Sequence, residues 1–144
     1  PWSVDTSRSL GIRFKGYRLD EKRRPTFSYV YGGTAVTDKP MDLLDKKTNR
    51  VYLARAIKLE GGDLDGIYFR AAVHPEVTEE EDGSVTVGRK VNIRASRALP
   101  GGKRKALKFL ARPSGKAREA VVAIGIEGGA AELLLEYRWL EEEK

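Results

Sequence analysis

A chain of 144 residues is the length of one ordinary domain; its 40% hydrophobic and 33% charged residues exclude a disordered polymer, and no run in it approaches the ~18 apolar residues that a membrane-spanning helix needs. With no cysteine, the chain has no disulfide, thiolate nucleophile, iron–sulfur ligand or Cys-x-x-Cys-His haem attachment. A single histidine, His74, rules out a multi-histidine metal centre within one chain, and a formal net charge of +6 favours acidic partners over basic ones.

The chain opens on proline, with no charged and then apolar leader before it, and a segment of a longer processed polypeptide is expected. Residues 1–9 read as an extended arm carrying Trp2, and residues 10–144 as one domain. An arm of this kind can complete a neighbour's sheet by strand addition, which makes Trp2 a candidate docking residue. The plainer alternative, for Trp2 as for Trp139, is packing in the core or a flap over a sheet edge.

Ile12, Phe14 and Gly16 alternate with Arg13, Lys15 and Tyr17, the period of a half-buried strand. Asp20 to Pro25 is a charged turn, Thr26 to Tyr31 is a strand rich in aromatic and β-branched residues, and Gly32-Gly33 signals a hairpin into Thr34 to Thr37. Tyr17, Arg18 and Asp20 form a candidate recognition edge, since a ring beside a guanidinium and a carboxylate suits a sugar or a partner loop. The plainer alternative pairs Arg18 with Asp20 locally and uses Tyr17 to plug one end of the fold.

Asp38 to Asn49 reads as a loop or one helical turn, because Pro40 argues against a regular element. Val51 to Leu59 is a strand, and Gly61-Gly62-Asp63 is its turn into a return strand, Ile67 to Val73. Asp63 and Asp65 stand at alternate positions as in the start of a calcium loop, but the third oxygen ligand and the distal glutamate are missing. His74 precedes Pro75 and has no nucleophile or carboxylate at a catalytic spacing.

Glu79 to Gly83 is an acidic, solvated turn before Ser84 to Val87, and Val91 to Arg94 alternates again. Arg97 to Arg118 holds Arg97, Lys103, Arg104, Lys105, Lys108, Arg112, Lys116 and Arg118 without an acid, a polyanion-binding or acidic-neighbour-docking candidate. Nucleic acid is disfavoured, because Phe109 alone offers a ring for stacking in that stretch. Ala120 to Ile126 and Ala131 to Trp139 complete the pattern as a final hairpin, although the Ala, Leu and Glu of Ala130 to Glu143 also suit a helix. Glu119, Glu132 and Glu136 would act as glycosidase carboxylates only if the fold brought them to a common cleft.

Short strands with turn signals every 8–12 residues predict an all-β protein, an antiparallel two-sheet β-sandwich of about nine strands, immunoglobulin-like or jelly-roll-like. Gly16-Tyr17-Arg18-Leu19-Asp20, Pro25-Thr26-Phe27, Tyr29, Gly32 to Asp38, Leu53-Ala54-Arg55, Phe69 to Ala72 and Glu136 to Trp139 carry a further signal. On these residues the chain resembles a β-rich module of large secreted multidomain proteins of planctomycetes and related bacteria, proteins with c-type cytochrome and sugar-dehydrogenase-like regions.

The resemblance implies a non-catalytic, extracytoplasmic accessory module that packs against other domains or subunits, haem-bearing ones included. The chain itself is expected to hold no cofactor and no metal. Two other ligand classes stay open: a glycan bound through Tyr17, Phe27, Tyr29 and Tyr31, and a polyanion bound through the basic stretch Arg97 to Arg118, in which Lys103, Arg104, Lys105, Lys108 and Arg112 are the candidate partner-binding residues.

Overall fold

The computed structural model describes residues 12–62, 68–124 and 129–141. Within them run twelve strands: β1 (Ile12–Leu19), β2 (Pro25–Tyr31), β3 (Thr34–Asp45), β4 (Arg50–Glu60), β5 (Tyr68–His74), β6 (Val77–Glu79), β7 (Val85–Val87), β8 (Val91–Ala98), β9 (Arg104–Leu107), β10 (Phe109–Ser114), β11 (Ala117–Ala123) and β12 (Ala130–Trp139). The expected antiparallel, two-sheet, all-β architecture is found, but the sheets are unequal. Nine strands form one sheet in the order β1-β2-β3-β4-β12-β8-β7-β6, and three form the other in the order β10-β11-β5. β9 continues the edge that β7 begins, pairing with Ala95 to Ala98 of β8 while β7 pairs with Val91 to Ile93.

The core lies between the small sheet and only part of the large one. Ile57 and Leu59 of β4, Leu133 and Leu135 of β12, Ile93 of β8 and Val85 of β7 meet Phe109 of β10 and Val122 of β11. Each such fully buried aliphatic or aromatic side chain contributes about 1.5–3 kcal/mol. Two bonds tie the sheets together beside this core: Phe109 N–H donates to Gly83 O (2.9 Å) and Ala111 N–H donates to Glu79 Oε1 (2.8 Å).

Several local readings are corrected by tertiary pairing. Asp38 to Asp45 is no loop, because β3 runs unbroken through Pro40 to Asp45 against β4. β2 reaches only as far as the Phe27 and Asp38 pair, so beyond it β3 is an edge strand on that side, where a proline costs no ladder bond. β4 and β5 form no hairpin: the chain crosses to the other sheet, where β5 pairs with β11. For the same reason β11 and β12 form no final hairpin, since β12 lies between β4 and β8. The helix alternative for Ala130 to Glu143 gives way to strand over Ala130–Trp139, because pairing on both edges outweighs a modest helical propensity.

β1 departs most from its simple alternation. At Gly16, with φ +135°, a bulge shifts the register between Phe14 and Gly16, so Phe14 faces Tyr29 and Tyr17 faces Phe27 across β2. Phe14 and Tyr17 therefore share one face, although an unbroken period of two would separate them. The strand is mostly exposed rather than half-buried.

Candidate functional site

The register of the large sheet shows which side chains share the face that meets the small sheet. Alternation carries the core face from Ile57 to Asp38, from Leu59 to Val36, then to Phe27, Tyr29 and Tyr31, and finally to Phe14 and Tyr17. The small sheet, however, ends at β5. Its limit is marked by a polar seam centred on Arg55, whose guanidinium pairs with Asp38, donates to Tyr137 Oη (3.3 Å) and lies 5.2 Å from the centre of the Phe69 ring. Tyr137 in turn donates to Ala71 O of β5 (3.4 Å).

Burial alone would lower the pKa of Arg55, but the bonds to Asp38 and Tyr137 reverse that and hold it above its ordinary value. Burial raises the phenol of Tyr137, with Arg55 opposing the shift. The seam is thus a closed, charged rim at the edge of the dry core.

Beyond it the apolar face continues uncovered. Phe14 (58% exposed), Tyr17 (65%), Leu19, Tyr31, Leu44, Val51, Leu53 and Trp139 (70%) make up eight of the twelve large exposed hydrophobics among the described residues. They line one face of β1 to β4 and the end of β12 by strand alternation. The sequence singled out Tyr17 but missed Leu44, Val51 and Leu53, whose alternation looks like that of any core strand. Trp139 is neither core nor edge cover, because the small sheet does not extend over the end of β12.

The rings on this face are not arranged as a flat platform. Phe14 and Tyr29 pack at 5.4 Å with planes 52° apart, and Tyr17 and Phe27 at 6.3 Å with planes 48° apart. Tilted pairs of this kind stabilise cross-strand packing and leave an uneven apolar relief rather than coplanar rings for sugars.

The other candidates of the first hairpin separate. Arg18 lies opposite Thr26, on the reverse face from Tyr17, so no joint recognition edge forms. Asp20 does not pair with Arg18. Its Oδ1 accepts from the backbone N–H of Arg24 (2.8 Å) and Lys22 (2.9 Å), and Oδ2 meets Lys39 Nζ at 3.3 Å. The Arg24 bond above all holds its carboxyl below the usual range. Tyr17 plugs nothing, and Trp2, with the whole arm 1–9, lies outside the described residues.

The basic run does not gather into one patch. Lys103, Arg104 and Lys105 lie at the β8–β9 hairpin, beside a short 3-10 turn at Pro100–Gly102, and Arg104 and Lys105 alternate across β9. Arg104 Nε donates to Ser96 Oγ (2.8 Å). Lys108 links β9 to β10, and Arg112 belongs to the small sheet, where it bonds Glu119 (2.6 Å) and lies 5.1 Å from the Tyr68 ring centre. Arg118 donates to Ala111 O (3.2 Å).

Three carboxylates also fall apart. Glu119 is clasped by Arg112 and Arg70 on the small sheet, and Arg112 foremost holds its pKa down. Glu132 and Glu136 lie on the large sheet with Lys58 and Arg138, so Glu119 shares no cleft with them. The Nδ1 of His74 accepts from Glu76 N–H (3.0 Å), and its ring packs against Gly88. Asp63 and Asp65 lie outside the described residues.

The acidic turn is more than solvated: Glu79 holds Ala111, Glu80 accepts from Thr86 Oγ1 (2.8 Å), and Asp82 accepts from Ser84 and meets Arg94 at 2.8 Å. The chain matches no family model, no curated protein and no solved structure.

Proposed function

We propose that this chain is a non-catalytic accessory module whose work is to dock, through the uncovered apolar face of β1 to β4, onto another domain or subunit that presents an apolar β surface of its own. The observation that carries this reading is that the large sheet runs through the order β1-β2-β3-β4-β12-β8-β7-β6 while its cover is only β10-β11-β5. The eight exposed side chains offer on the order of 800 Å², about one partner's share of a standard stable interface and more than the roughly 300–600 Å² of the largest patch on an ordinary monomer. Two sheets packed face to face lie about 10 Å apart, so a partner sheet would continue the sandwich past the Arg55 seam. A secreted bacterial setting, beside haem-bearing or sugar-oxidising domains, is the context that the resemblance suggests.

Native mass spectrometry of the protein isolated gently from its source tests the reading. The wild type is expected in a fixed-stoichiometry complex with a second polypeptide, and a Phe14→Ser/Tyr17→Ser variant as a monomer with an almost unchanged thermal midpoint. A monomeric wild type, a homodimer, or a complex that survives the double substitution overturns it.

A further inference from the structure

On the reverse face of the large sheet a straight row of side chains crosses four strands: Tyr52 of β4, Arg138 of β12, Asn92 of β8 and Thr86 of β7. At the usual strand spacing this row spans about 14 Å, the length of a short oligosaccharide. It floors a groove of about 1180 Å³ whose walls are the β3–β4 hairpin tip, with Asp45 and Thr48, and the β6–β7 turn, with Glu80 and Asp82. Both walls are built by backbone bonding. Asp45 Oδ1 accepts from Lys47 N–H (2.9 Å), and Asp82 Oδ1 accepts from Ser84 N–H (3.0 Å).

The polar groups of the floor are already oriented. Ser84 Oγ donates to Asp82, Asn92 Nδ2 donates to Ser84 Oγ (3.0 Å), Arg94 Nε donates to Asn92 Oδ1 (3.3 Å), and Arg94 returns to Asp82 Oδ2 (2.8 Å). These four side chains form a closed ring. At the other end the Arg138 guanidinium lies 4.0 Å from the centre of the Tyr52 ring and is anchored by Glu136 (2.9 Å), which makes a rigid cation–aromatic stack.

We infer that this groove binds a neutral oligosaccharide. A polyanion is disfavoured, because five carboxylates and three guanidiniums line the groove and all three guanidiniums, Arg50, Arg94 and Arg138, are paired with Glu141, Asp82 and Glu136. A metal ion is disfavoured too, since among the described residues no group of three acidic or histidine side chains is placed to hold one. Val51, Trp139 and Leu140 add apolar lining beside the polar row of Arg138, Asn92 and Thr86, the mixed surface that suits a ligand with both C–H faces and hydroxyls. What remains suited is a ligand dense in hydroxyls, each able to donate and accept, which planar amide, carboxylate and guanidinium groups held in place recognise without further ordering cost.

Val51 and Trp139 border both the groove and the docking face, so the two readings are separated by residues that belong to one only: Tyr52 and Arg94 to the groove, Phe14 and Tyr17 to the docking face. Isothermal calorimetry with four neutral hexasaccharides as probes (β-1,4-glucan, β-1,3-glucan, β-1,4-xylan and β-1,4-mannan) is expected to show binding to at least one. That binding should be insensitive to salt between about 0.05 and 0.5 M. Arg94→Ala, an exposed change that leaves the fold intact, and Tyr52→Ala should each weaken it at least about tenfold, while Phe14→Ser/Tyr17→Ser leaves it unchanged. No heat with any of the four sugars, equal affinity in Arg94→Ala, or loss only in the Phe14→Ser/Tyr17→Ser variant overturns the inference.

Discussion

The two halves of the large sheet share strand geometry and alternation yet differ in fate. From Ile57 to Leu59 of β4, from Ala131 to Leu135 of β12, and in β8 and β7 the alternating apolar side chains disappear beneath the small sheet, whereas in β1, at Leu44 of β3, at Val51 and Leu53 of β4 and at Trp139 the same pattern meets no cover. An amphipathic strand thus records that one face is to be buried, not what buries it. In one half the chain supplies its own lid, and in the other the proposed partner supplies it.

The largest test of this contrast is within the core. Phe109 is fully buried against both sheets, so Phe109→Ala should cost about 3–5 kcal/mol in denaturant unfolding. At the seam, Asp38→Ala leaves the half-buried Arg55 with one charged partner fewer, and should cost about 2 kcal/mol by the same measurement. Equal losses at Phe109 and at Phe14 would erase the distinction between the halves.

On the open face, Phe14→Ala removes only a cross-strand aromatic pair, and should cost under about 1 kcal/mol in the isolated chain. Its effect on the complex should be far larger. A value near 3 kcal/mol for the free chain would mean that this face is already covered.

The smallest difference is expected from acid. Asp20 and Asp45 hold turns of the open half, Asp82 holds a turn of the covered half and Glu119 clasps the small sheet, and all four carboxyls titrate below their ordinary values. A depressed folded-state pKa stabilises fully above the unfolded value and is lost as pH falls through the folded one. The thermal midpoint should therefore stay level down to about pH 5 and drop below about pH 4, with both halves softening together in hydrogen exchange. Softening confined to the open half would show that Asp82 and Glu119 add little.

Much of the local structure was legible because it is written in short-range chemistry. Gly32-Gly33 marks the β2–β3 hairpin, and the alternation of Val51 to Leu59 and of Val91 to Arg94 marks β4 and β8. The recognition candidates were less legible. Tyr17 and Arg18 are neighbours in sequence and opposites in space, and Lys103 to Arg118 is one run in sequence but divides between two sheets. A site depends on which strands become neighbours, and Tyr52, Arg138, Asn92 and Thr86 come from four segments that nothing in their spacing connects.

The sequence by itself determined an all-β chain, its turn positions and its lack of cysteine chemistry, since propensity, glycine placement and composition act within a few residues. Tertiary structure alone decided that β4 passes to β5 across sheets, that β12 fills the centre of the large sheet, and that three strands cover a sheet of nine. Strand pairing is set by backbone bonds that every residue but proline offers alike. The choice among partners therefore rests on the total burial of the assembled layers rather than on any local signal.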